Sequence, residues 1–460
     1  MIHIKFVSIL FDLFAGSGNT LSGALAAEGT GGIAALIASG IFLLVFVAIA
    51  FQLLHETAAA LLGAVAVFLV TYIGGHFNPA LRLLDFEDAM NTVDWNVIFM
   101  AVLAETNVFK WLAFQLYRGA KGNAWVLAVG LFLLTAVTSA MLNDVTVILL
   151  LVPLSIQLAV AIGLHPFVFV IPEVLISNIG GAATLIGDPP STIVGSHIGL
   201  NFSEYLVNMG PIAAICVIAF LIMNWFQYRK EYAKAKKKIS AVLMEQLASE
   251  SQITGRATLN KALLVAVLTF VGFFVADRFD QMPPAVVALS GATFLIVWVR
   301  PNMHRMLREV DWTTLLFFIG LFIVVGGMEA AGVIEWLAAR IATLAGDSAD
   351  RAALLTVWVS GFASAVVSNI PFTVAALPVA DFLTQTIPAA AANRIIYWAL
   401  ILGADLGGNA TILGSAPNIV AAGLLAQAGY RLKFSRFVRD GLPVTILTLA
   451  IASIWLLVRY

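Results

Sequence analysis

One cysteine, Cys216, is the whole thiol inventory of this 460-residue chain. That excludes a disulfide framework and any cysteine-cluster metal site. Six histidines (His3, His55, His76, His165, His197, His304) are scattered rather than grouped, so no metal site is expected. Charge is equally scarce: Lys+Arg 25 and Asp+Glu 26 make up 11% of the chain and leave a net charge of −1. Soluble domains carry about 25% charged residues, so a soluble enzyme, a disordered chain and a nucleic-acid binder are all excluded. No Gly-Lys dipeptide occurs anywhere, which removes the Walker A phosphate loop. An ATPase could act here only as a separate soluble partner. Neither Gly-x-Ser-x-Gly nor Gly-x-Gly-Asp is present, so an intramembrane protease has no support. No enzyme activity and no cofactor are expected.

What the chain has instead is apolar length. Hydrophobic residues make up 61% of it and mean hydropathy is +0.97. Several runs reach the roughly 20 residues that cross a bilayer's hydrocarbon core, and the period-two alternation of a barrel is absent. The expected fold class is an all-α polytopic membrane protein. About ten crossings are read near 33–53, 56–75, 95–117, 166–200, 209–228, 262–277, 283–300, 311–339, 393–427 and 440–458. Two further stretches, 123–163 and 352–389, are interrupted at Asn143-Asp144 and Ser368-Asn369. They read as re-entrant helical hairpins, because a break at membrane depth survives only where protein or a watery cavity satisfies the backbone.

Charge placement orients the layout. The segment 229–261 holds eight Lys/Arg and reads as a cytoplasmic linker by the positive-inside rule. Propagating from it places 18 of the 25 basic residues inside, both termini outside, and the two hairpins entering from opposite sides of a plasma (inner) membrane. Residues 1–32 read as an interfacial helix or a signal-like segment, with Asp12 interrupting its apolar run. Tryptophans such as Trp95, Trp125, Trp225, Trp312 and Trp398 read as interface anchors or core.

The two halves echo each other. Residues 33–228 and 262–460 flank the basic linker and are nearly equal in length. Val93-Asp94-Trp95 recurs as Val310-Asp311-Trp312, and Ser139-Ala140 as Ser364-Ala365. The longest echo is Asn178 to Pro190 (NIGGAATLIGDPP), which returns without a gap as Asp405 to Pro417 (DLGGNATILGSAP). Five crossings per half is an odd number, so the copies are inverted. Inverted repeats with interrupted helices at matching positions are the sequence signature of an alternating-access transporter with a midplane site.

The candidate residues follow from the breaks. Gly180, Gly181, Gly407 and Gly408 release backbone groups that can coordinate an ion or bond a polar solute. Asn143, Thr146, Asn178, Thr184, Ser368, Asn369, Thr373, Asn409, Thr411 and Asn418 bring amides and hydroxyls to the same four segments. Asp144, Glu173, Asp188 and Asp405 are carboxyls at membrane depth, each a functional hypothesis by default, and are the candidates for coupling to protons or sodium. Glu105, Glu329 and Asp381 are weaker candidates. No basic residue lies in the four segments, which suits a neutral hydroxylated solute or a small cation better than a multiply charged anion.

The run from Ser177 to Pro190 resembles the signature of the ion transporter superfamily. Its nearest branch holds arsenite permeases and the melanosomal P protein. Related branches hold sodium/proton antiporters and carboxylate transporters. Asn143-Asp144 at the first tip is similar to the arsenite permease order and reverses that of P protein. The resemblance implies two inverted repeats of five crossings, each with a re-entrant hairpin and a discontinuous helix, and transport of a small molecule or ion across the lipid bilayer. Arsenite, neutral As(OH)3 at neutral pH, fits a site of amides, hydroxyls and freed backbone groups. Proton-coupled arsenite efflux is therefore the leading expectation, with sodium/proton antiport and carboxylate or other anion transport as alternatives.

Overall fold

The computed structural model describes residues 31–50, 108–235, 256–276 and 348–460, with isolated positions between them. The expected crossings 56–75, 283–300 and 311–339, with Glu105, Glu329 and most of the basic linker, lie outside the described residues. The chain divides into two compact units, one of Met1–Val93 with Thr313–Arg340, the other of Asp94–Trp312 with Ile341–Tyr460. The first contributes one described helix, α1 (Gly31–Ala50). Everything that follows concerns the second.

Its helices are α2 (Val108–Gly119), α3 (Ala124–Met141), α4 (Asp144–Ala161), α5 (Phe167–Gly181), α6 (Pro189–His197) and α7 (Phe202–Tyr232). After α8 (Arg256–Ala276) come α9 (Ala349–Val367), α10 (Asn369–Thr386), the short α11 (Pro388–Asn393), α12 (Ile395–Gly407), α13 (Ala416–Gln427) and α14 (Phe434–Arg459). Among the described residues there is no strand. Six helices (α3, α4, α7, α8, α9 and α14) are long and apolar enough to cross a membrane. The protein is all-α and polytopic.

Each expected hairpin is a helix pair folded at its polar interruption. Asn143 caps α4, its side chain accepting from Val145 N at 3.0 Å. In the second hairpin the turn is a single residue, Ser368, at φ +94°. Each limb has 18 or 19 residues, a rise of about 27 Å. The hairpins open toward opposite ends of α7. Trp125, at the start of the first, packs at a tilt against Trp225 near the end of α7 with centroids 5.1 Å apart. Arg394, just beyond the second, pairs with Glu204 in the first turn of α7 at 3.4 Å.

Both discontinuous helices are present. Helix α5 stops at Gly181 and α6 resumes at Pro189. Helix α12 stops at Gly407, passes through two 3-10 turns, Gly408–Ala410 and Ile412–Gly414, and resumes as α13. Prolines mark equivalent places: Pro153 and Pro378 each occupy the tenth position of a hairpin's second limb.

Small residues set the packing, as expected where lipid tails compete equally for apolar side chains. Helix α3 packs most closely on α5, and α9 on α12. A Cβ on Gly180 would stand inside the van der Waals radius of Ala136 O, and one on Gly407 would do the same to Gly361 O. These are backbone atoms that cannot give way. Gly180→Ala and Gly407→Ala are expected to destabilise the protein by about 1–3 kcal/mol each through overpacking. Gly423→Ala, with nothing within 4 Å of the added Cβ, should be silent. Melting temperatures of the three variants in detergent test this; equal values would mean that the close approaches relax freely.

Candidate functional site

The breaks begin where glycine lets the chain fold back on itself. A Cβ on Gly187 would collide with Gly181 O and Ser139 O, and one on Gly414 with Gly408 O. Hydroxyls then tie each break to the hairpin beside it. Ser139 Oγ donates to Ser177 O at 2.8 Å and Ser364 Oγ to Ala404 O at 2.6 Å. Thr184 Oγ1 donates to Ala140 O, and Thr411 Oγ1 to Ala365 O. The same two ties recur in both repeats.

The second half-helices start in an unusual way. Asp188 is the N-cap of α6 and Ser415 the N-cap of α13, yet neither side chain makes a capping bond. An N-cap side chain ordinarily accepts from the second or third amide of its helix. Here Pro189-Pro190 and Ala416-Pro417 fill the first two positions, and proline has no amide hydrogen. The third amide remains in each helix, but neither side chain turns to it, and both take tertiary partners instead.

Those partners lie in the other repeat. Asn178 Nδ2, at the end of α5, donates to Asn409 Oδ1 at 2.8 Å, Ser415 Oγ at 3.0 Å and Asn418 Oδ1 at 3.2 Å. Asp405, at the corresponding place in α12, accepts from Ser191 Oγ at 3.1 Å. Its carboxyl lies within hydrogen-bonding reach of that of Asp188. Tyr205 of α7 donates to Ser191 Oγ at 2.6 Å.

The hairpin tips close the site. Asn369 Nδ2 approaches both Asp188 oxygens, at 3.4 and 3.5 Å. Asp144 is near enough to act electrostatically on both Asp188 and Asp405. One of its oxygens accepts from Val145 N at 2.8 Å. All four residues are buried, at 1% exposure or less. Among the described residues no basic side chain bonds to any of them, and no group of three or more His, Cys, Asp or Glu is arranged to hold a metal ion.

The structure thus brings together Asp144, Asn178, Asp188, Asn369, Asp405, Asn409 and Asn418. Gly180, Gly181, Gly407 and Gly408 shape the breaks that place them. Thr373 Oγ1 bonds its own helix at Asn369 O, 2.7 Å away. Thr146 and Ser368 lie at the hairpin tips, and Asn143 is occupied in capping. Glu173 sits apart: it is fully buried against α3, where Thr135 Oγ1 donates to its Oε1 at 3.3 Å. Asp381 faces His197 Nε2 at 2.9 Å and accepts from Tyr397. Sequence reading placed Ser191 and Ser415 inside the binding segments 178–191 and 405–418 without singling them out, and it missed Tyr205. The two serines were visible as the residues aligned with Asn418 and Asp188, but Tyr205 lies outside the duplicated segment and carried no signal.

Comparison with known proteins agrees with this architecture. The family model of CitMHS, citrate transporter, matches residues 46–403. An uncharacterized transporter of Mycobacterium tuberculosis is 34% identical over 434 residues, covering 92% of this chain and 98% of its own. A 46 kDa membrane protein of Mycobacterium leprae is 32% identical, covering 92% and 99%. P protein of Mus musculus is 29% identical over 93% of this chain and 61% of its own length. Among solved structures, the YdaH transporter of Alcanivorax borkumensis has a similar fold, with TM-score 0.50, 15% identity and coverage of 88% of this chain and 98% of that one.

The hydroxyl ties make a prediction about the breaks alone. Thr184→Val and Thr411→Val keep shape and remove the donor to a hairpin carbonyl. Each should cost roughly 1–3 kcal/mol, the penalty for a buried acceptor left unpaired. Unfolding in detergent with increasing denaturant measures it, and unchanged midpoints would make both threonines simple packing residues.

Proposed function

Because this chain belongs to the citrate transporter (CitMHS) family, we propose that it is a secondary active transporter in which Asp144, Asp188 and Asp405 carry protons against the movement of a small solute. One observation carries the reading: three buried aspartates converge where the two helix breaks meet the hairpin tips, with no cationic side chain bonded to them among the described residues. Carboxyls placed this way at membrane depth are proton-relay or ion-path groups by default. The inverted arrangement of hairpins and breaks supports alternating access around a fixed midplane site. In this reading the repeats 33–228 and 262–460 move about a cytoplasmic linker in the plasma (inner) membrane, with both termini outside.

The solute we propose is small, neutral and hydroxylated, with arsenous acid as the type. Its hydroxyls can donate to carboxylate and amide oxygens, and it needs no cationic clamp. A second reading, a carboxylate such as citrate, is favoured by the family description. It asks that the solute's negative charge be neutralised before it meets three aspartates, because like charges at close range in a low-dielectric site repel by several kcal/mol (on the order of 4 at 4 Å for an effective dielectric of 20). Sodium in place of protons is a third outcome.

The test is uptake into inverted vesicles under an imposed pH gradient, with arsenite, citrate and sodium offered in parallel. Arsenite uptake that collapses with the gradient is the expected result. Citrate uptake instead would establish the second reading. Sodium-driven dissipation of the gradient without solute movement would make the protein a cation/proton antiporter. In the same vesicles Asp405→Asn and Asp144→Asn should abolish gradient-driven transport while the protein stays folded. Unchanged flux in either variant would remove that residue from coupling.

A further inference from the structure

The two halves of the polar network are equivalent in position and opposite in state. Positions 178 and 405 align in the duplicated segment, as do 188 with 415 and 191 with 418. In each repeat the residue closing the first half-helix reaches across to the cap and the third helical residue of the other repeat's second half-helix. Asn178 reaches Ser415 and Asn418; Asp405 reaches Asp188 and Ser191.

The Asn178 set is paired throughout. Asn409 Nδ2 donates to Leu175 O at 3.1 Å, and Asn418 Nδ2 donates to Gly408 O and Thr411 O, each at 2.8 Å. Those backbone acceptors turn both amides so that their oxygens face Asn178. Asn178 must then present its Nδ2, and its Oδ1 accepts from Ser415 Oγ at 3.3 Å. Every polar atom of the four side chains has at least one partner inside the protein.

The Asp405 set is open. Asp405 Oδ1, Asp144 Oδ2 and Asn369 Oδ1 are buried and have no N–H or hydroxyl donor among the described residues. Asn369, 1% exposed, has its Nδ2 committed to Asp188, which leaves its oxygen as the free atom. All three open valences are acceptors. Leaving such atoms buried and unpaired is costly, so a ligand that donates to them gains what the protein lacks.

We propose that the two repeats have divided one ancestral site: the Asn178 set is a sealed brace that positions the two breaks, and the Asp405 set alone receives the transported species, which presents hydrogen-bond donors or positive charge. This rests on the proton-coupled reading above and makes Asn178, Asn409 and Asn418 positioning residues rather than ligands. Their effect on transport is through the breaks they join, so it falls on the rate of the cycle and not on recognition.

The experiment uses the full chain in liposomes with a pH gradient, arsenite as the probe, and parallel melting curves in detergent. Asn178→Ala and Ser415→Ala should lower the maximal rate and the melting temperature. They should leave the pH profile in place and the half-saturating concentration within about two-fold, the pattern of a lost contact that does not touch substrate. The charge-exchanged variant Asn178→Asp with Asp405→Asn should show no gradient-driven transport, because the acid then lies among filled acceptors. Restored transport in that variant would overturn the division of the site. So would a rise of about tenfold or more in half-saturation for Asn178→Ala or Ser415→Ala with the maximal rate kept, the mark of a lost ligand contact. If the charge-exchanged variant fails to fold, the Ser415→Ala kinetics decide alone. If the wild type moves neither arsenite, citrate nor sodium, the functional reading fails, and the brace is still tested by stability. Asn178→Ala and Asn418→Ala together should then lower the melting temperature by less than the sum of the two, and strict additivity would remove the brace.

Discussion

A helix interrupted inside an apolar slab releases amides and carbonyls that water cannot reach, and each must find a partner in the protein. The architecture of the second unit follows from that constraint. Thr184 and Thr411 cover carbonyls at the hairpin ends, while Ser139 and Ser364 cover those at the ends of α5 and α12. Asn418 takes two carbonyls of the second break by itself. Glycines at 180, 187, 407 and 414 let the backbones come close enough for these bonds to form. Side chains that are not consumed in this way are the ones available for chemistry, and they are few.

That economy goes with a site that is polar and, among the described residues, bare of cations. A lysine or arginine among the breaks would hold the aspartates in ion pairs. Arginines do pair with a buried aspartate elsewhere, where Asp440 of α14 accepts from Arg436 at 2.9 Å, Arg439 at 3.3 Å and Tyr228 at 2.6 Å. That cluster joins α7 to α14, next to Gly441, which packs on Asn409 O. The contrast is between an aspartate neutralised by two arginines there and aspartates at the breaks with no cationic partner among the described residues.

Much of the fold was legible in the sequence, because hydrophobic length and a thirteen-residue echo are strong signals with direct physical causes. The helix pairs turn at Asn143 and Ser368, where the apolar runs are interrupted, and both discontinuous helices break at the Gly-Gly pairs. Helix ends were less legible: α7 runs on to Tyr232 and α8 begins at Arg256, inside the segment read as linker, because Lys and Arg extend a helix readily. Within the site, residue type pointed to polarity but not to occupancy. Thr373 looks like a ligand in sequence, yet its hydroxyl bonds a carbonyl one turn back. Asp188 followed by two prolines reads as a helix cap, and only the coordinates show its carboxyl turned away from its own helix. Asn178 and Asp405 align perfectly, and nothing in the alignment reveals that one is enclosed by amides and the other by acids.

The uncapped starts of α6 and α13 have a consequence for substitution. Because neither Asp188 nor Ser415 makes a capping bond to the helix that follows it, exchanging an acid for an alcohol at either position leaves the local helix start unharmed. The breaks are held by glycine backbones, hydroxyl ties and the brace that includes Ser415, whereas Asp188 caps nothing and meets Asn369 and Asp405 across the site. A change of charge at position 188 therefore alters the polarity of the break without altering the helix that starts beside it.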